Sequence, residues 1–140
     1  MTDHHHIPHP QLTYGRIVYW LTVVACVICI VGPLLSLIQP EQNFMNPYFL
    51  FAQIFDGATP QEIWETTGGY FPGGHFYLRY PLGGDAFTHF GLAAVGCSSA
   101  AWALLASAVQ YWRARDRLFA GMSVFVALLI VLAMSGLLSP

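Results

Sequence analysis

Three stretches of this chain, Ile17–Ile38, Phe87–Val109 and Leu118–Leu138, contain no Asp, Glu, Lys or Arg. Each is as long as the roughly 20 helical residues needed to cross the apolar core of a bilayer. In lipid a backbone amide finds no partner outside its own segment, so such a stretch must be helical. The expected fold is therefore an all-α membrane protein with three transmembrane helices: helix 1 at 17–38, helix 2 at 87–109 and helix 3 at 118–138. The first stretch is longer than a signal-peptide core, and no small-x-small site follows Gly32-Pro33-Leu34, which predicts that it is not cleaved.

Composition agrees. Of the 140 residues, 56% are hydrophobic and only 9% charged, against roughly 25% charged in an ordinary soluble domain. The basic residues are Arg16, Arg79, Arg113, Arg115 and Arg117, with no lysine. A net charge of −2 offers no basic face for phosphates, so nucleic acid is not an expected partner.

Loop charge sets the expected orientation. The turn at 110–117 carries three of the arginines, and short arginine-rich loops stay cytoplasmic. The arm 1–16 would then be cytoplasmic and the carboxyl terminus outside, which in a bacterium means an inner-membrane protein facing the periplasm. The segment 39–86 falls on the outer side. It reads as an aromatic-rich, structured region with two short interfacial helices. One lies near 47–55, with Asn46-Pro47 starting it and Gly57 ending it. The other lies near 60–67, opened by the Thr59-Pro60-Gln61-Glu62 capping box and closed by Gly68-Gly69. The following GGYFPGGHFYLRYPLGGD reads as a structured loop without regular elements.

Four places are candidates for chemistry. Asp85 and His89 stand four apart, on one face of the first turn of helix 2. A carboxylate beside an imidazole at the membrane boundary suits proton uptake from a quinol. The structural alternative makes Asp85 the helix N-cap, accepting from the amide of Phe87 or Thr88. His89 is also a candidate haem or chlorophyll ligand. A second haem ligand would have to be His75, if its loop folds over the end of helix 2, or come from a partner; Arg79 completes this cofactor-binding set. In the amino-terminal MTDHHHIPHP, residues His4, His5, His6 and His9 form a candidate metal tract, with an interaction arm as the alternative. Cys26 and Cys29 lie mid-span, where a thiolate is disfavoured, and with Cys97 are expected to be small apolar helix residues without a disulfide.

The remaining signals concern packing. Helix 2 is rich in small residues, among them Gly91, Ala94, Gly96, Ser98, Ser99 and Ala100, and helices in lipid associate where small residues allow close approach. Small residues on nearly every side imply neighbours beyond the two sister spans. Gly32-Pro33 predicts a kink in helix 1. In helix 3, Gly121, Ser123, Ser135 and Gly136 are expected to face the bundle. No acidic or basic residue occupies the middle of a span, where such a group is the usual mark of an ion or proton pathway. Phosphate-binding glycine loops and nucleophile elbows are also lacking.

From Gly91 to Leu138, the small-residue span, the turn QYWRARDRLFAG and the valine- and leucine-rich last span resemble small bacterial three-helix membrane proteins of a domain-of-unknown-function family. The resemblance implies a three-span architecture and carries no active site; the long aromatic segment 39–86 departs from that pattern. Together these readings point to a non-catalytic accessory subunit of a larger bacterial membrane electron-transfer complex, respiratory or photosynthetic. Its partners would be other integral membrane subunits and lipid, with any quinone or haem shared with a partner. The alternatives are a quinone- or haem-binding catalytic subunit built on His89 and Asp85, and a non-redox membrane anchor or sensor.

Overall fold

The computed structural model describes residues 7–70 and 75–137. His4, His5 and His6 of the candidate metal tract lie outside the described residues, as does Leu138. All regular structure among the described residues is helical, with no strand. Helix α1 is His9–Ile38, α2 is Pro47–Phe55 and α3 is Pro60–Ile63, which widens into a π turn over Trp64–Gly68. Then come α4, Gly84–His89, a π-helical segment Phe90–Cys97, α5, Ser99–Arg113, and α6, Arg117–Met134. Three helical runs, His9–Ile38, Gly84–Arg113 and Arg117–Met134, are long and apolar enough to cross a membrane.

The boundaries differ from those read in the sequence. Residues 9–16, assigned to the arm, are the first turns of α1. Proline at residue 10 does not prevent this, because amides in the first turn have no helical acceptor to lose. Helix α5 likewise continues to Arg113, so the turn before α6 is only 114–116. The loop after Tyr70, expected to lack regular elements, contains a 3₁₀ turn at Phe76–Leu78.

By internal packing the chain divides into two units. In the first, Val24–Ala94, α1 meets α4 and the start of the π segment through small residues. Ala25, Ile28, Gly32 and Ser36 share one face of α1, and Gly84, Thr88 and Gly91 share one face of the opposing run. A β-carbon on Gly84 would collide with the Ser36 amide nitrogen and the Gly32 carbonyl oxygen. One on Gly32 would strike the Thr88 hydroxyl, and one on Gly91 the side chain of Ile28. Glycine costs a helix interior about 0.5–1 kcal/mol; here it lets two backbones touch. Thr88 Oγ1, donating to Gly84 O at 2.7 Å, turns its polar atom back onto its own helix.

In the second unit, Met1–Val23 with Val95–Pro140, α5 and α6 pack as an antiparallel hairpin. Ala101 and Ala108 on α5 and Ala120 and Ala127 on α6 are buried. Each pair is seven apart, the spacing that keeps two positions on one helix face. Ala120 and Ala127 are thus what α6 buries; of the residues expected to face the bundle, Ser123 is half-buried beside Leu104 and Ser107, Gly121 is exposed but lines a groove with α5, and Ser135 and Gly136 are exposed. The hairpin turn closes with Arg115 N donating to Trp112 O at 3.1 Å and Asp116 N to Tyr111 O at 2.9 Å. This is the Schellman arrangement, with Arg115 at φ +62° where glycine is usual. Asp116 then caps α6 by accepting from Phe119 N. The start of α1 is tied to α5 by Ser107 Oγ donating to Pro10 O at 3.0 Å and Gln110 Nε2 to Thr13 Oγ1 at 2.7 Å.

Burial runs inside out relative to a soluble protein. Among the described residues the buried apolar side chains are alanines together with Pro10 and Pro47, whereas Trp20, Trp102, Phe125 and Leu128 are about 60% exposed. Lipid tails are as apolar as leucine, so nothing drives large side chains inward, and contact is left to residues that permit close approach. Of the three long runs, Gly84–Arg113 is the most enclosed, at 28% of its most apolar stretch against 11% for each of the others.

The glycine contacts give the first prediction. Gly84→Val and Gly91→Leu should each destabilise the detergent-solubilised protein by about 1–3 kcal/mol through overpacking. Gly15→Ala, where a β-carbon meets nothing, should leave stability unchanged or slightly raised. Thermal unfolding followed by circular dichroism tests this, and equal effects at all three positions would refute the packing argument.

Candidate functional site

The polar centre of the first unit is Asn43, a residue to which the sequence drew no attention. Helix α1 ends at Ile38, a 3₁₀ turn follows at Pro40–Gln42, and Asn43 is extended after it. Its Nδ2 donates to Ser36 O at 2.9 Å and Pro40 O at 3.3 Å. Its Oδ1 accepts from Gly84 N at 2.9 Å, Asp85 N at 3.4 Å and the Ser36 hydroxyl at 3.1 Å. Helix ends leave carbonyls unsatisfied at one terminus and amides at the other. One carboxamide, which both donates and accepts, serves the end of α1 and the beginning of α4 together.

Asp85 therefore has a different role from the expected one. The N-cap of α4 is Gly83, and the Asp85 carboxylate does not cap Phe87 or Thr88. Its Oδ2 accepts from Met45 N at 3.0 Å and its Oδ1 from Ala86 N at 2.7 Å. A neighbour at residue 43 has taken over the capping, which releases Asp85 to hold the loop backbone. Gly83 lies so close to that loop that a β-carbon there would meet Gln42 O and Asp85 Oδ1.

Next to this clasp the chain builds a small aromatic cluster on Phe44. The Phe44 ring lies 5.3 Å from Tyr70, 5.4 Å from Tyr80, 5.5 Å from Phe76 and 6.3 Å from Trp64, centroid to centroid. These are separations at which tilted and edge-to-face rings attract. Gly68 lies under the Phe44 ring, and Gly69, at φ +73°, turns the chain out of the π turn towards Tyr70. A hydrogen bond to Tyr70 is the main cause holding the Tyr80 phenol above its ordinary value, with Arg79 pulling weakly the other way.

Of the residues singled out for cofactor binding, His89 packs its ring 5.0 Å from Phe76 and 5.5 Å from Tyr77. His75 lies 6.1 Å from the same Tyr77 ring. The two histidines thus share an aromatic neighbour. Arg79 is exposed, and its amide closes the 3₁₀ turn onto Phe76 O at 2.9 Å. Beside His89 opens an apolar cleft of about 300 Å³ lined by Tyr77, Leu78, Pro81, Ala86, Phe87 and Phe90. His89 is not one of these walls; its ring meets the cleft through Tyr77. His9 is the first residue of α1 and is exposed. No three His, Cys, Asp or Glu side chains converge among the described residues. Cys26, Cys29 and Cys97 are free thiols, and Cys29 Sγ lies 3.8 Å from Thr88 O.

The helix starts of the outer segment are set by local chemistry. Asn46 Oδ1 accepts from Tyr48 N at 3.1 Å, and Pro47 follows at the first helical position. Thr59 and Glu62 form a reciprocal capping box: Thr59 N donates to Glu62 Oε2 at 2.7 Å, and Glu62 N to Thr59 Oγ1 at 3.4 Å. The Thr59 backbone amide, then its hydroxyl, hold the Glu62 carboxyl below its ordinary value of 4.5.

A family model matches residues 11–137. The chain belongs to that family, which is of the domain-of-unknown-function type. The match takes in all three long helices and also the aromatic outer segment, which lay beyond the Gly91–Leu138 resemblance. No curated protein and no solved structure matches the chain.

Two outcomes are expected from this geometry. Asn43→Ala should cost about 2–3 kcal/mol, because it strips a cap and leaves partly buried groups unpaired, and Asn43→Asp, which keeps the acceptor, should cost less. Chemical denaturation of both variants in detergent measures the difference. Because the folded Glu62 carboxyl is depressed, its stabilisation is complete above about 4.5 and is lost as pH falls through the lower folded value. The protection of the Thr59 amide, its exchange rate divided into the intrinsic rate at each pH, should fall in that acidic window, while Glu62→Gln should flatten the response.

Proposed function

We propose that this protein is a small accessory subunit of a larger integral membrane complex, with a structural and not a catalytic role. The observation that carries the reading is α2. Eight of the nine residues of PYFLFAQIF are apolar, and at 100° per residue they leave only Gln53 as a polar side. Tyr48, Phe49, Phe51, Ile54 and Phe55 are exposed, Phe55 by 86%. A helix apolar on nearly every side needs cover on nearly every side. A bilayer surface covers one side of a short helix lying on it; a partner protein covers the rest. The chemistry of Asp85 supports the same reading, since both carboxylate oxygens accept backbone amides.

An electron-transfer complex of a bacterial inner membrane is the first class to test, with the arginine-bearing turn cytoplasmic and the aromatic segment periplasmic. Its support is the aromatic density around Phe44 and the proximity of His89 to an apolar cleft. A second reading places a quinone or haem, shared with a partner, against His89 with Phe76 and Tyr77 on either side. The two readings differ in what His89 must do.

Extraction from the native membrane in mild detergent, sizing of the particle and mass spectrometry of the co-purifying chains decides between them. The accessory reading expects a large particle from which Phe49→Ser with Phe55→Ser releases this chain, while His89→Ala leaves assembly and electron flow intact. A particle containing this chain alone would overturn it, and loss of turnover in an intact particle carrying His89→Ala would establish the second reading.

A further inference from the structure

The α5–α6 hairpin carries a groove that neither reading uses. It has a volume of about 570 Å³, and its apolar walls include Leu105 and Val109 from α5 and Gly121 and Val124 from α6. At one end stand Arg113 and Arg117. The placement follows from the helix repeat. Residues 105, 109 and 113 form one stripe on α5, and residues 117, 121 and 124 one stripe on α6. Because the helices are antiparallel and joined by the 114–116 turn, both stripes end in arginine at the same end of the hairpin.

Three features fit an amphiphile with one anionic group. Both guanidiniums are exposed, and neither has an ion-pair or hydrogen-bond partner among the described residues. Arg115, in the turn itself, belongs to the same end, where Asp116 is the one acidic residue of the turn. Gly121 leaves the floor open, since a β-carbon there would meet nothing within 4 Å. An exposed apolar trough on a membrane-spanning hairpin is filled by an acyl chain in the absence of anything better. Two cations at its mouth select a headgroup of net negative charge, whose phosphate has no tethered cation of its own to compete with the guanidiniums.

We propose that the α5–α6 groove is a binding site for an anionic phospholipid, its phosphate held by Arg113 and Arg117 and one acyl chain lying along Leu105, Val109 and Val124 over Gly121. The site rests on these helices crossing a bilayer, not on the accessory-subunit reading. It would therefore stand or fall independently of the partner search.

Native mass spectrometry of the purified full chain, mixed with equal amounts of a phosphatidylglycerol and a phosphatidylcholine of matched acyl chains, provides the test. The wild type should retain the anionic lipid preferentially. Arg113→Gln with Arg117→Gln should lower that preference roughly thirtyfold, the effect of two arginines near an anionic surface, whereas the corresponding double lysine variant should keep much of it. Gly121→Leu should reduce retention of both lipids by filling the trough. Circular dichroism melting confirms that each variant is folded. Equal retention of the two lipids by the wild type, or a preference that survives removal of both arginines, would overturn the proposal. So would complete competition by millimolar inorganic phosphate, which identifies a free anion as the ligand, or a dimer that Gly121→Leu dissociates, which identifies a second copy.

Discussion

Contact between the backbones of α1 and α4 at Gly32 and Gly84 is the constraint on which the first unit depends. With no β-carbon at either position, the Ser36 turn of α1 comes within reach of the first amides of α4. That proximity allows a single carboxamide, Asn43, to satisfy carbonyls of one helix and amides of the other. Once Asn43 occupies the α4 amino terminus, Asp85 is free to hold Met45, and Phe44 between them is set into the aromatic cluster. The chain of consequence runs from two missing methyl groups to the position of every ring around Phe44.

This order of dependence explains why the outer segment has structure without a core of the usual kind. Its rings are only partly buried, and no large side chain among the described residues is fully enclosed. Order comes instead from caps and stops written into short stretches: Asn46 before Pro47, Thr59 with Glu62, and Gly57 and Gly69 at positive φ. Each contributes on the order of 1 kcal/mol. A fold assembled from such increments leaves α2 exposed and apolar on most sides, which is the physical case for a partner.

The two units differ in the kind of chemistry they carry. Near Asp85 and His89, polar groups are drawn into backbone hydrogen bonds and aromatic packing. Around the α5–α6 turn, the arginines stay exposed and unpaired among the described residues. Buried polar groups must be satisfied by the fold, whereas exposed cations at a membrane boundary are satisfied by water and lipid. Within the Phe44 region the polar groups organise structure; at the hairpin turn they are available to bind.

Three long helical runs, the two short helices and their caps were legible in the sequence because each depends on residues within a few positions of one another. A charge-free stretch is helical in lipid whatever its neighbours, and Thr59 finds Glu62 three residues on. What the sequence could not show depended on residues far apart. Asn43 gave no signal as the cap of a helix some forty residues later, so Asp85 was assigned that role by proximity alone. Ala120 and Ala127 are the residues α6 buries, with Gly121 and Ser123 flanking them, since which stripe of an almost wholly apolar helix turns inward is set by the opposing helix and not by hydrophobicity. The start of α1 at His9 likewise follows from Ser107 and Gln110, which hold its first turns. The sequence determined the local elements; tertiary structure decided which faces meet, because in a chain this apolar, close approach and distant hydrogen bonds discriminate between faces that the hydrophobic pattern leaves equivalent.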